Sequence, residues 1–198
     1  MNMETLAEAA GHIRAGEVGI VPTDTLYGLV TSAMMPESVE RVYAIRGRET
    51  GKPCIVLIAD IDDLAQFDIV PDEATSRLLG TVWPGAVSVV LPCDGAEWEY
   101  LNRGTGTIAF RIPADDALRG FLREAGPVIA PSANPAGLVP ATTIEESIGY
   151  FGTTIDFTVA DGRLLNVHST VARIVDGKFE VIRQGAVILD AAVCLNAC

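Results

Sequence analysis

The stretch IVPTDTLYGLV, residues 20–30, decides how the chain is read, because two apolar halves are separated by three hydrogen-bonding residues. The apolar residues on either side predict two neighbouring strands. A tight turn usually has Gly, Asn or Pro near its centre, but Thr23, Asp24 and Thr25 occupy that place here. Two interpretations are open: the three side chains satisfy their own turn, or they form the wall of a site.

Outward from this stretch, apolar runs and turn signals continue almost to the end of the chain. Strands are predicted over residues 18–22, 26–30, 54–60, 86–92, 107–113, 127–131, 155–160, 169–175 and 178–183. Helices are predicted from Leu6 to near Gly16, from Pro36 through Ile45, over 72–80 and 115–124, and from the capping-box pattern Thr143/Glu146 to about 151. Strict alternation is missing, so the fold class is α+β (mixed α/β), a mixed sheet with helices packed on it, and residues 1–198 are interpreted as one domain.

The charge balance argues against wholesale capture of a nucleic acid backbone. The chain of 198 residues has 26 acidic and 14 basic residues and a formal net charge of −12. Four of the cations nevertheless fall within twelve residues: Arg41, Arg46, Arg48 and Lys52. A local basic cluster on an acidic protein suits a small anion better than a long polyanion.

The amphipathic start of the chain lacks a signal-peptide core, and no apolar run is long enough to span a membrane. The expectation is a cytoplasmic protein without a membrane partner. Cys54 and Cys93 lie in apolar runs and are interpreted as small core residues. Cys194 and Cys198 lie on the tail, where a metal or disulfide role is a minor alternative.

Arg111 is the polar residue that turn chemistry or a solvated surface position explains least. It lies within TIAFRIP, residues 107–113, and strand alternation directs it away from both Phe110 and Ile112. A buried arginine must be paired, because removing its partner costs about 3 to 5 kcal/mol. The partner is either a protein carboxylate such as Asp24 or the carboxylate of a ligand.

Other polar segments also follow or break apolar strands, where ligand contacts are common. They are Arg46-Gly-Arg48, PSANPAG (residues 131–137), HSTV (168–171) and Arg183. A solvated helix end and plain turn chemistry remain alternatives for the first two. His12 is expected on the surface, and His168 beside Ser169 lacks the elbow motif of a hydrolase. The available hydroxyls, amide and cations bind phosphates and carboxylates without a side-chain nucleophile, so no catalytic residue is assigned.

Together these segments resemble the YrdC/Sua5/TsaC family of threonylcarbamoyl-AMP synthases, in the order VPTDTLYGL, RGRETGKPCIVLI, WPGAVSVVL, TIAFRIP, PSANPAG, STVARI and IRQGA. The resemblance implies a twisted mixed sheet with a deep cleft. It also implies that L-threonine, bicarbonate (or CO2) and ATP give threonylcarbamoyladenylate and pyrophosphate. A partner complex would then transfer the threonylcarbamoyl group to adenosine 37 of tRNA, and direct tRNA binding is optional.

The resemblance also implies residue roles. ATP would be bound by Arg48, Lys52, Thr107, Asn134, Thr142 and Arg183. Threonine would be bound by Thr25, Arg111, Ser132 and Ser169. Mg²⁺ would arrive with ATP and be held mainly by its oxygens, without a protein ligand set.

One departure from the family pattern concerns Arg46, which stands where the family usually has lysine and is assigned an auxiliary role.

Three alternative functions remain: a YciO-like paralogue with little synthase activity, a noncatalytic RNA-binding module, and a carbamoyl-transfer domain like that of hydrogenase-maturation proteins.

Overall fold

The computed structural model describes residues 3–47, 51–159, 164 and 167–189. Three residues that the sequence singles out, Arg48, Cys194 and Cys198, lie outside the described residues. Whether residues 1–198 form one domain therefore stays a prediction.

The described residues form strands and helices close to the predicted ones. The strands are β1 (Met3–Glu4), β2 (Gly19–Pro22), β3 (Tyr27–Ser32), β4 (Ile55–Leu57), β5 (Val87–Pro92), β6 (Thr107–Arg111), β7 (Val128–Ile129), β8 (Phe157–Val159), β9 (Thr170–Val175) and β10 (Lys178–Arg183). The α-helices are α1 (Leu6–Arg14), α2 (Pro36–Arg46), α3 (Glu73–Gly80), α4 (Glu99–Asn102), α5 (Asp116–Ala125) and α6 (Ile144–Phe151). Short 3-10 helices cover Ile61–Phe67, Ala96–Trp98 and Gly152–Thr154. The predicted strands and helices are confirmed, and β1, α4 and the 3-10 helices are additions.

The strands form a single mixed sheet in the order β1-β8-β2-β3-β7-β4-β6-β5-β9-β10. The pairs β1/β8, β2/β8, β4/β6 and β5/β9 are parallel, and the other neighbours are antiparallel. The predicted fold class is therefore confirmed. Strand β8, late in the chain, lies between β1 and β2, so this half of the sheet joins the start of the chain to a segment more than 130 residues later.

Helices cover both faces of the sheet but not all of one face. A cluster of buried residues joins α1 and α5 to the strands, with Ile13 and Phe121 packed beside Val21 and Leu57. The larger cluster lies with the other helices and includes the side chains Val42, Leu79, Leu101, Phe151 and Phe110. The α1/α5 pair covers only part of its face, and the site lies beside it.

Capping chemistry explains where two helices begin. Thr5 and Glu8 form a reciprocal capping box at the start of α1. At α6, Thr143 accepts a hydrogen bond from Glu146 N at 3.2 Å, as the sequence predicts. The reciprocal bond predicted there is wrong: the Glu146 carboxylate accepts from the backbone of Thr142 at 2.7 Å, one residue earlier.

His12 keeps 33% of its side chain exposed, but it has more partners than a surface position on α1 predicts. Its ring is stacked on Phe157 with centroids 4.9 Å apart, and it bridges Glu4 (Nε2 to Oε2, 3.0 Å) and Glu17. The hydrogen bond to Glu17 is the largest of the effects that raise the pKa of His12. Helical periodicity placed His12 off the apolar stripe of α1, but β1 and β8 supply neighbours that a helix pattern does not reveal.

Candidate functional site

A cavity of ≈ 380 Å³ opens on the sheet face that carries α1 and α5. Ile55 and Ala130 line this cavity and also pack against the α1/α5 cluster. The cavity therefore begins where the helical cover of that face ends.

Strand alternation builds the cavity floor. Along β6, Thr107, Ala109 and Arg111 line the cavity, whereas Ile108 and Phe110 are fully buried in the core on the opposite face. Successive side chains of a strand point to opposite faces, so a single apolar strand supplies both a core and a floor. Neighbouring strands add Ile55, Val90 and Val171 to the same floor.

Arg111 is the charged centre of this floor and is only 4% exposed. Its Nη1 lies 3.0 Å from Asp24 Oδ1 and donates to Thr25 Oγ1 at 3.1 Å. Of the two partners that the sequence left open, the structure shows the protein carboxylate. The Nε atom of Arg111 is buried and has no hydrogen-bond partner among the described residues.

The turn between β2 and β3 has both of the roles considered at the outset. Thr23 is the turn residue: its hydroxyl donates to Leu26 O at 2.6 Å and accepts from the backbone of Thr25 and Leu26. Asp24 and Thr25 instead face Arg111, and Asp24 Oδ2 also accepts from Ala114 N at 3.2 Å. Thr23 therefore stabilises the turn itself, whereas Asp24 and Thr25 hold Arg111 in place.

A second cation lies close to Arg111. Arg183 lines the cavity at the end of β10 and donates through Nη2 to Ser169 O at 3.0 Å. Burial lowers the pKa of Arg111, and Arg183 lowers it further, against the opposing effect of Asp24. An arginine nevertheless keeps its charge in a protein. Since none of the described residues lining the cavity is a carboxylate, the cavity favours an anion.

Ser169 and Ser132 face the cavity from opposite sides. The Ser169 hydroxyl lies 2.9 Å from that of Ser88 on β5. Ser132 follows β7 and accepts from Arg46 Nη2 at 3.4 Å, while Arg46 Nε donates to Asn134 O at 3.0 Å. Arg46 is buried and joins α2 to the loop that carries Ser132, rather than lining the cavity.

The structure brings together six of the ten residues assigned as ligands by resemblance: Thr25, Thr107, Arg111, Ser132, Ser169 and Arg183. Within the described part of the chain, Lys52, Asn134 and Thr142 do not line the cavity, although Lys52 precedes the lining residue Pro53. The Asn134 amide donates to Pro135 O and Leu138 O, and the Thr142 hydroxyl to Glu146. The binding roles of all ten residues stay predictions.

Two polar lining residues were missed by sequence reasoning. Thr105 lies in the turn that precedes β6, and its flanking glycines have positive φ values of 78° and 65°. Because Thr105 lies outside β6, strand alternation could not predict that it lines the cavity. His168 lines the cavity, and its partial burial, followed by the charge of Arg183, lowers its pKa. The lack of a hydrolase motif beside His168 did not show whether this residue lines a cavity.

A family model for the Sua5/YciO/YrdC domain, described as "Telomere recombination", matches residues 11–185. The chain belongs to the Sua5/YciO/YrdC family. The matched range contains every residue assigned as a ligand above and all the described residues that line the cavity.

Relatives in this family carry the name of a synthase. The "Threonylcarbamoyl-AMP synthase" of Bacillus subtilis is 33% identical over 94% of this chain, which spans 55% of that relative. The crystal structure of P. abyssi Sua5 complexed with L-threonine superposes with a TM-score of 0.82 at 30% identity, covering 91% of this chain and 54% of that chain. The chain thus spans about half the length of these relatives.

A second similar structure, E. coli YciO, has a TM-score of 0.78 at 24% identity and covers 91% of this chain and 88% of that chain. At this identity the likeness shows the fold alone. Among the described residues, no helix is long and apolar enough to cross a membrane.

Proposed function

We propose that the chain makes L-threonylcarbamoyladenylate and pyrophosphate from L-threonine, bicarbonate or CO2, and ATP. The observation that carries the proposal is the buried Arg111 beside Thr25 in a cavity with a second arginine and no lining carboxylate among the described residues. Membership of a family whose relatives are named threonylcarbamoyl-AMP synthases supports the same reaction.

Threonine is assigned to the floor around Arg111. A planar guanidinium suits a carboxylate, and the unpartnered Nε of Arg111 leaves donor capacity for one. The hydroxyls of Thr25, Ser132 and Ser169 surround the same cavity and suit the hydroxyl and amino groups of the substrate. P. abyssi Sua5, similar in fold, was crystallised with L-threonine.

ATP is assigned to the part of the cavity that Thr107 lines and to Arg183, with Lys52, Arg48, Asn134 and Thr142 completing its contacts. Mg²⁺ would accompany ATP. The described lining residues offer hydroxyls and cations rather than carboxylates, which fits a metal held by the phosphate oxygens.

The proposed chemistry needs positioning more than a reactive side chain. The threonine amine and CO2 form a carbamate with loss of a proton, and a carbamate oxygen attacks the α-phosphorus of ATP. The new P–O bond replaces the bond to the leaving pyrophosphate. Arg111 fixes the carboxylate end of threonine, and the cations nearer the phosphates stabilise the developing charge. The product would pass, in the cytoplasm, to a threonylcarbamoyltransferase complex acting on tRNA position 37.

The test is pyrophosphate release from ATP, measured with L-threonine and bicarbonate present together and with each left out. Release that requires both substrates is the expected result. Arg111→Lys should raise the KM for threonine at least tenfold, because an ammonium lacks the fork, whereas exposed Arg173→Gln is the control. Wild-type release that ignores threonine contradicts the proposal and favours a YciO-like paralogue.

A further inference from the structure

Tyr43 on α2 contacts two residues, Lys52 and Arg103, that lie in segments leading to the cavity lining. Its hydroxyl donates to the backbone oxygen of Lys52 at 2.9 Å. Its ring lies under the guanidinium of Arg103, which is 3.8 Å from the ring centroid. Tyr43 itself is 4% exposed and belongs to the larger core cluster, so its ring has little freedom to move.

Arg103 begins the turn that leads into the cavity floor. It is a non-glycine residue with a φ of +55°, a backbone conformation that needs support from its surroundings. Its side chain is 9% exposed and pairs with Glu40 on α2 at 2.7 Å. The turn then continues through Thr105 to Thr107, both of which line the cavity.

The Tyr43 hydroxyl acts here as a donor, and its surroundings keep it so. Burial is the largest of the effects that raise the pKa of Tyr43, so the phenol stays protonated over the physiological range. Lys52 O is the acceptor, and the next residue, Pro53, lines the cavity. One core side chain therefore holds the backbone at Lys52 and supports the turn that begins at Arg103.

We propose that Tyr43 is a positioning residue for the nucleotide end of the cavity: its hydroxyl fixes the backbone at Lys52, and its ring holds Arg103 and the turn to Thr107. The inference rests on the proposed function, since it assigns ATP to the end that Lys52 and Thr107 serve. Tyr43 is not among the described residues that line the cavity. The effect of its hydroxyl is transmitted through Lys52, and this makes it separable from the threonine contacts at Arg111.

The test compares Tyr43→Phe with Tyr100→Phe. Tyr100 is a matched control, because its hydroxyl also donates to a backbone carbonyl, Ala33 O at 2.8 Å, but Ala33 does not line the cavity. Calorimetry with a non-hydrolysable ATP analogue should show about threefold to tenfold weaker binding for Tyr43→Phe and less than twofold change for the control. In turnover, the KM for ATP should rise while the KM for threonine stays within twofold.

Lys52→Ala supplies the second arm. If Tyr43 acts through Lys52, adding Tyr43→Phe to Lys52→Ala should weaken analogue binding by less than twofold further. Equal effects of the two tyrosine variants, a parallel rise of both KM values, or additive effects with Lys52→Ala would each overturn the inference. The proposed function can fail independently of this inference. If the wild-type protein binds the analogue but releases no pyrophosphate with threonine and bicarbonate, the proposed function is wrong. The calorimetric comparison then still decides the role of Tyr43.

Discussion

Replacing Asp24 with asparagine removes the carboxylate that faces Arg111 and keeps its size. Breaking a buried ion pair costs about 3 to 5 kcal/mol, because the remaining charge is left uncompensated. Two contacts reduce that figure: Thr25 still accepts from Arg111, and an amide oxygen still accepts from Ala114 N. We therefore expect Asp24→Asn to lower the free energy of unfolding by about 2 to 4 kcal/mol.

At about 2 to 4 °C per kcal/mol for a chain of this size, the melting temperature should fall by about 4 to 16 °C. Urea denaturation measures the free energy directly. The control is Glu180→Gln. Glu180 Oε1 lies 2.5 Å from Arg173 Nη2, but the Arg173 side chain is 53% exposed, so loss of this ion pair should cost less than about 1 kcal/mol.

The same substitution makes a second, independent prediction about ligand binding. In Asp24→Asn, the described partners of Arg111 are the Thr25 hydroxyl and a neutral amide, so a small carboxylate should bind the folded protein more favourably. Added L-threonine should then raise the melting temperature of Asp24→Asn by more than that of the wild type. A variant within about 0.5 kcal/mol of the wild type would refute the reasoning, since it would mean that Arg111 needs no protein partner.

Three further substitutions test other parts of the molecule. Lys52→Ala should weaken binding of an ATP analogue about tenfold by calorimetry, with exposed Lys178→Ala as control; unchanged affinity removes Lys52 from the phosphate site. Because the pKa of His12 is raised in the folded state, its stabilising contribution is complete below about pH 6.5 and is lost as the pH rises through the folded pKa, so His12→Gln should abolish that decline in urea midpoints. Arg46→Lys should cost about 0.5 to 1.5 kcal/mol of stability, because an ammonium cannot reach both Asn134 O and Ser132 Oγ; a midpoint equal to wild type contradicts this.

Local patterns predicted the strands and the orientation of Arg111 because both follow from alternation along one segment. That Arg111 faces away from Phe110 is a property of five consecutive residues and needs no knowledge of the rest of the chain. Its partner was another matter. Asp24 lies 87 positions earlier in the sequence, and the contact exists only because strand pairing brings the β2–β3 turn beside the end of β6.

The same limit applies to the polar residues whose places were predicted less well. The bonds of His12 to Glu4 and Glu17 arise where a short strand precedes α1, and nothing in the amphipathic pattern of α1 shows that strand. Arg46 was expected beside phosphates from its place in a basic cluster. Charge clustering along the chain does not specify which side chain turns inward, and Arg46 is held by the loop after β7.

The position of β8 in the sheet has a consequence for synthesis of the chain. β2 pairs with β8 through Gly19 and Phe157, and the neighbouring bond from Val18 N to Asp156 closes a separation of 138 residues. At ribosomal rates of about 5 to 20 residues per second, roughly 7 to 28 s pass between the emergence of these partners. During that interval one edge of β2 has no strand to pair with, and pairing over so long a separation is intrinsically slow. The nascent chain therefore exposes an aggregation-prone edge that the finished protein conceals.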